Sequence, residues 1–82
     1  MPNTKLQPTA REVFARNLRR ARRLKDLTQE GLALDAGMPR AYLSRVERAT
    51  INISIDNADA LARALGVPLH DLVDPGKFVG LD

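Results

Sequence analysis

Arg40, Arg45 and Arg48, close together in one short stretch, are the side chains of this sequence best suited to a specific chemistry. A guanidinium is a planar fork of N–H donors. It matches guanine O6 and N7 in the DNA major groove, and it also binds phosphate oxygens well. On a helical wheel of ~100° per residue, Arg40, Ala41, Ser44, Arg45 and Arg48 form one continuous arc. Leu43 and Val46, three apart, fall on the opposite side, with Tyr42 at its edge. The small Ala41 lets the backbone come close and can touch a thymine methyl group. The spacing predicts a helix that buries one face and offers base-edge donors on the other. The competing reading of the arc is an ordinary solvated helix face.

Other chemistries find little support. The chain has no cysteine, which excludes disulfides and thiolate metal sites. His70, Asp71 and Asp74 superficially resemble a metal cluster. One histidine and two carboxylates on a short helix lack a third strong ligand and a supporting shell, so no metal is expected. There is no nucleophile–base pair and no glycine-rich phosphate loop, so neither catalysis nor a cofactor or small-molecule ligand is expected. No apolar run approaches the ~20 residues of a membrane span. Met1–Ala10 lacks the apolar stretch of a secretory signal, and a soluble cytoplasmic protein is expected.

The 82 residues (9.1 kDa) leave room for one small domain. Hydrophobic residues make up 44% and aromatics only 4%, so the core must come from Leu, Ala, Val and Ile. The net charge of +3 hides an asymmetry. Residues 1–50 hold 11 basic and 5 acidic side chains, and residues 51–82 hold 2 and 5. That suggests one side facing a polyanion and another turned elsewhere, against the alternative of plain solvation.

The elements that position the arginines follow from caps and periodicity. Residues 1–8 read as a flexible N-terminal tail. Thr9-Ala10-Arg11-Glu12 fits a capping box, and Phe14, Leu18 and Ala21 stripe a first helix that ends near Lys25. Thr28 caps a second helix that buries Leu32, Ala33 and Ala36. Gly37 suits the turn, and Pro39 the first turn of a third helix running to about Arg48. Gly31 inside the second helix either relieves crowding or lets another backbone approach. Ala49–Ile53 reads as a loop, although Ile51 to Ile55 alternates. Ser54 caps a fourth helix with Asp56 in its first turn and Ala58, Leu61, Ala62 and Leu65 on its buried face, and Gly66 closes it. Pro68 opens a short fifth helix, Leu69–Val73, stopped by Asp74-Pro75-Gly76.

The result is an all-α domain of five helices over residues 9–74, with a C-terminal tail at 75–82. Ala33, small where two helices meet, is followed four residues later by Gly37 and then by Leu43 and Val46. This spacing marks a helix-turn-helix at about residues 28–48. Arg16, Arg19, Arg20 and Arg23 on the first helix either extend a phosphate-facing field or are solvated or paired with the acidic half. Tyr42 either donates its hydroxyl to a phosphate or lies half-buried against the second helix. Leu69, Leu72, Val73, Phe78, Val79 and Leu81 are more apolar than a chain end requires. Leu69, Leu72, Val73 and Phe78 are the expected dimer contact; the alternative is a tail folded back on its own chain or disordered.

Several segments together carry a resemblance: Leu27-Thr28-Gln29-Glu30, Leu32-Ala33, Ala36-Gly37, Tyr42 to Arg48, and Leu61 to Val67. Over about residues 14–73 the chain resembles the lambda-repressor-like (Cro/CI, XRE-type) helix-turn-helix DNA-binding proteins. The resemblance implies a compact five-helix domain that binds pseudo-palindromic double-stranded operators as a homodimer, with the third helix as reader. By position, Arg40, Ala41 and Arg45 would face base edges, with Ser44 on the same arc. Gln29 would contact phosphate and brace the reader, and Arg48 and nearby loop amides, with Asn52, would hold the phosphate backbone; the Tyr42 hydroxyl, on its first reading above, joins the phosphate contacts. Arg22 and Glu47 match an internal ion pair of the family. Ala49 stands where glycine is common and Ile53 where proline is common. A transcriptional regulator is implied, similar to restriction–modification controllers, phage-type repressors or some antitoxins. The rival from another class is a protein-interaction module that kept the fold without DNA binding.

Overall fold

Side chains that satisfy orphan backbone amides begin three of the helices. In the computed structural model, which describes residues 7–80, Thr9 opens α1 (Ala10–Leu24) with a complete capping box. The Glu12 amide donates to Thr9 Oγ1 at 3.1 Å, and the Thr9 amide donates to Glu12 Oε1 at 2.8 Å. Thr28 caps α2 (Gln29–Ala36) by accepting from the Gly31 amide at 2.9 Å. Ser54 caps α4 (Ile55–Leu65) by accepting from the Asn57 amide at 3.0 Å. Pro39 and Pro68 precede α3 (Arg40–Glu47) and α5 (Leu69–Leu72), where a fixed φ pre-sets the entry. No strand occurs among the described residues, and the alternating Ile51–Ile55 stretch is a loop that runs into α4.

The first four helices end alike. An amide beyond the helix reaches back five residues to a carbonyl: Leu27 to Arg22, Met38 to Ala33, Thr50 to Arg45 and Val67 to Ala62, at 3.0–3.1 Å. This closure needs one left-handed residue. Gly37 (φ 72°) and Gly66 (φ 71°) supply it for α2 and α4. Asp26 (φ 56°) and Ala49 (φ 59°) supply it for α1 and α3. Aspartate tolerates that region better than most residues, but alanine gains nothing there to offset the contact of its Cβ with the following carbonyl.

Leu18, Leu32, Leu43, Leu61, Leu65 and Leu72 are wholly buried, with Phe14, Ala21, Ala33, Val46, Ala58 and Ala62 between them. α2 packs on α3 and α4, α1 on α3 and α5, and α4 on α5. Two of the expected dimer residues belong to this interior instead. Leu72 is wholly buried and Phe78 is 6% exposed within the same cluster. The domain therefore extends past residue 74, because a phenylalanine so near the small core is worth more inside it than at a surface. Of the remaining tail, residues 1–6 and Leu81 lie outside the described residues.

Polar side chains tie α1 to the rest. Arg22 pairs with Glu47, the last residue of α3, through two near-parallel bonds: Nε to Oε2 at 2.7 Å and Nη2 to Oε1 at 2.9 Å. Arg22 Nη1 also donates to the Leu27 carbonyl at 2.9 Å. Arg19 donates to the Glu47 carbonyl. Asn17, fully buried, directs Nδ2 at the carbonyls of Asp71, Leu72 and Asp74, the last at 2.7 Å, and so holds the end of α5. Arg20 is buried at 8% exposure, which removes it from the solvated face of α1.

Two stability changes are expected. Ala49→Gly removes left-handed strain of about 1–2 kcal/mol and gives back part of it as unfolded-chain entropy. Thermal unfolding followed by circular dichroism should show a midpoint raised by a few degrees. Arg22→Ala strands the Glu47 carboxylate, which is 2% exposed. Urea unfolding should record a loss of about 3–5 kcal/mol, whereas breaking the exposed Arg63–Asp59 pair should leave the unfolding midpoint nearly unchanged.

Candidate nucleic-acid interface

α3 presents the arc that its sequence implies. Leu43, Val46 and Glu47 are buried, whereas Arg40, Ala41, Arg45 and Arg48 are exposed. Ser44 is half-buried, and its hydroxyl accepts from Arg48 Nη1 at 3.1 Å. It thus serves the side chain of Arg48 rather than standing free beside Arg45. Pro39 ends the turn after Gly37, so the first exposed residues of α3 are Arg40 and Ala41. In helix-turn-helix docking the N-terminal residues of the reader meet base edges.

The expected phosphate contacts are placed around this arc, each with a partner inside the protein. Gln29, half-buried at the start of α2, donates Nε2 to Glu47 Oε1 at 3.0 Å. It therefore braces the end of α3 on the same carboxylate oxygen that accepts from Arg22 Nη2. Arg22, Thr28, Gln29, Glu30 and Arg40 line a shallow cleft of about 480 Å³ at the α2 N-terminus. The positive end of the α2 dipole and the Arg40 guanidinium there favour an oxyanion, the Glu30 carboxylate opposes one, and the Arg22 nitrogens are engaged by Glu47 and Leu27. Tyr42 is half-buried, and its hydroxyl accepts from Asn57 Nδ2 at 3.1 Å. That bond leaves the phenolic proton available for donation outward. Asn52, exposed in the α3–α4 loop, accepts at Oδ1 from Arg11 of α1.

The expected dimer residues divide. Leu69 is half-buried and Val73 is 49% exposed, while Leu72 and Phe78 are interior. Val79, 69% exposed, lies on the same terminal segment. Asp71 Oδ1 lies 3.2 Å from His70 Nδ1, and its Oδ2 lies 3.7 Å from the Lys77 ammonium. Gly31 has a local reason. A Cβ there would sit 3.2 Å from Thr28 Oγ1, the atom that caps α2.

Three residues to which sequence reasoning gave no such role, and Arg19, which it left between two readings, hold the elements around the interface. Asn57 orients Tyr42, Arg11 holds Asn52, Arg19 grips the last carbonyl of α3, and Asn17 fixes α5. Arg19 had a readable signal, since it lies three residues before Arg22 and so on the same face of α1. Asn17 had one too, as a polar residue between Phe14 and Leu18 on an apolar stripe. The Asn57 and Arg11 bonds join residues 15 and 41 apart and leave no local trace.

Comparison with known proteins agrees with this geometry. Residues 18–72 match a family model described as Helix-turn-helix. The control protein C.BamHI of Bacillus amyloliquefaciens is 40% identical over 65 residues, covering 78% of this chain and 80% of that protein. The structure of the restriction-modification controller protein C.AhdI from Aeromonas hydrophila aligns with a TM-score of 0.74 and 39% identity, covering 76% of this chain and 94% of that one. The hypothetical transcription factor NHTF from Neisseria aligns with a TM-score of 0.81 and 38% identity, covering 94% and 85%. Among the described residues no helix is long and apolar enough to cross a membrane. Matched over most of its length and sharing this architecture with its relatives, the chain belongs to the helix-turn-helix family, as an all-α XRE-type DNA-binding transcription regulator.

Proposed function

We propose that the chain regulates transcription in the cytoplasm as a homodimer on a pseudo-palindromic operator, in the manner of a restriction–modification controller and without catalytic activity. The observation that carries this reading is the exposed Arg40–Ala41–Arg45 arc on a helix whose far end is clamped by Arg22, Gln29 and Arg19. A protein-interaction module has no use for a rigidly held helix that points guanidiniums outward. Arg40 and Arg45 read base edges and Ala41 allows close approach. Gln29, Tyr42, Arg48 and Asn52 set the register on the phosphates. The second copy meets the first through Leu69, Val73 and Val79, in the acidic half of the chain, where two basic readers repel least.

Selection of sites from a random DNA pool tests sequence preference, symmetry and half-site spacing together. Two inverted half-sites about one helical turn apart are expected. On the selected site, Arg45→Ala should cost about 1–3 kcal/mol and relax preference at one base position. Arg48→Ala should instead weaken all sequences alike. Fluorescence anisotropy that detected no salt-dependent DNA binding by the wild type would remove this reading in favour of an interaction module.

A further inference from the structure

A second cleft, of about 430 Å³, lies between α1 and the C-terminal end of α3. Arg16, Arg19 and Arg48 line it, with Glu12, Ala15 and Ala49. The donors are unevenly used. Arg19 is anchored on the Glu47 carbonyl and Arg48 on Ser44. Arg16 Nε is buried and makes no hydrogen bond. The lone carboxylate, Glu12, already accepts the Thr9 amide as part of the α1 cap.

Three guanidiniums therefore converge on one cleft with a single, partly committed acid among them. Like charges held together repel, and a buried donor without an acceptor costs the free energy of its lost hydration. An oxyanion seated in the cleft relieves both at once, because guanidinium forks match the geometry of phosphate. The position of the cleft names the source. Arg48 and Ala49 end the helix that carries the base-reading arc, and the loop that follows leads to Asn52, held by Arg11 of the same α1. With α3 in a major groove, the sugar-phosphate strand bordering the groove passes this end of the helix.

We propose that this cleft is a phosphate site that seats a backbone phosphate of the bound DNA, with Arg16 as the residue that completes it. The proposal rests on the DNA-binding reading above. It places α1 in contact with DNA, beyond the contacts expected of α2, α3 and their loops. A free phosphate ion has the same chemistry and is separated by experiment.

The test uses the full chain, Arg16→Met and Arg16→Gln, with folding checked by circular dichroism. Both variants should bind every sequence more weakly than the wild type. Their plots of log Kobs against log salt should be shallower by about 0.9, the slope of one phosphate contact. Duplexes carrying one neutral methylphosphonate, walked along each strand, should reveal a position that weakens the wild type but not the variants. If Arg16→Met unfolds, Arg16→Gln and the wild-type walk decide. Wild-type binding with unchanged slopes and unchanged walks in the variants overturns the cleft and leaves the regulator reading standing. Loss of all DNA binding by the wild type overturns that reading and the DNA seat together. Titration with inorganic phosphate, read on the Arg16 Nε–Hε resonance, covers the other source. A shift without any DNA effect assigns the cleft to a free anion and overturns the DNA seat.

Discussion

The carboxylate of Glu47 is the point on which the interface hangs. It is almost wholly buried at the last turn of α3, and it accepts from Arg22 of α1 and Gln29 of α2. Its own carbonyl accepts from Arg19. An eight-residue helix has little stability of its own, because nucleation costs more than so few hydrogen bonds return. α3 therefore takes its direction from what holds it. Leu43 and Val46 anchor one side by burial, but apolar contact is non-directional and tolerates rotation. The two parallel bonds from Arg22 do not. They fix the axial rotation of α3, and with it the direction in which Arg40 and Arg45 point. A buried ion pair adds little net stability, so directional control is the better account of its place here.

The helix ends show a related compromise. All four Schellman closures need a left-handed residue, yet only two use glycine. At the end of α3 the residue is Ala49, which also lines the arginine cleft. Its side chain strains the backbone but leaves the loop a narrower choice of paths than glycine would. The Thr50 hydroxyl adds a second bond to the Arg45 carbonyl at 3.1 Å, which stiffens the same corner. The turn from α3 into the Asn52 loop is thereby held, at the price of local strain.

Much of this was legible because it is local. Thr9, Thr28 and Ser54 announce helix starts, Gly37 and Gly66 announce ends, and the i, i+3, i+4 stripes give the buried faces. The reading arc followed from spacing alone, and the Arg22–Glu47 pairing from family resemblance rather than from spacing. Burial over long sequence distance was not legible. Leu72 and Phe78 look like surplus apolar residues near a chain end, and only the packing of α5 on α1 and α4, with Phe78 inside the same buried cluster, shows that the core absorbs them. Arg20 failed for the converse reason, since a basic residue among basic neighbours reads as surface. The partners of Tyr42 and Asn52 come from elements brought together by tertiary structure, and no short-range pattern encodes them.

The number of free donors bears on how many copies the site needs. Ser44 is engaged by Arg48, and Arg48 sits at the helix end, so on the proposed reading Arg40 and Arg45 are the guanidiniums left to meet base edges in one chain. A good bidentate arginine–guanine pair discriminates by about 1–3 kcal/mol, so two give about 2–6 kcal/mol. Specific binding commonly exceeds non-specific binding by about 4–10 kcal/mol. One copy reaches at most the lower part of that range, whereas the two copies proposed, at about 4–12 kcal/mol, span it. On the same reading, with few bases read directly, register on the duplex would come from many phosphate donors placed around a short, firmly held helix.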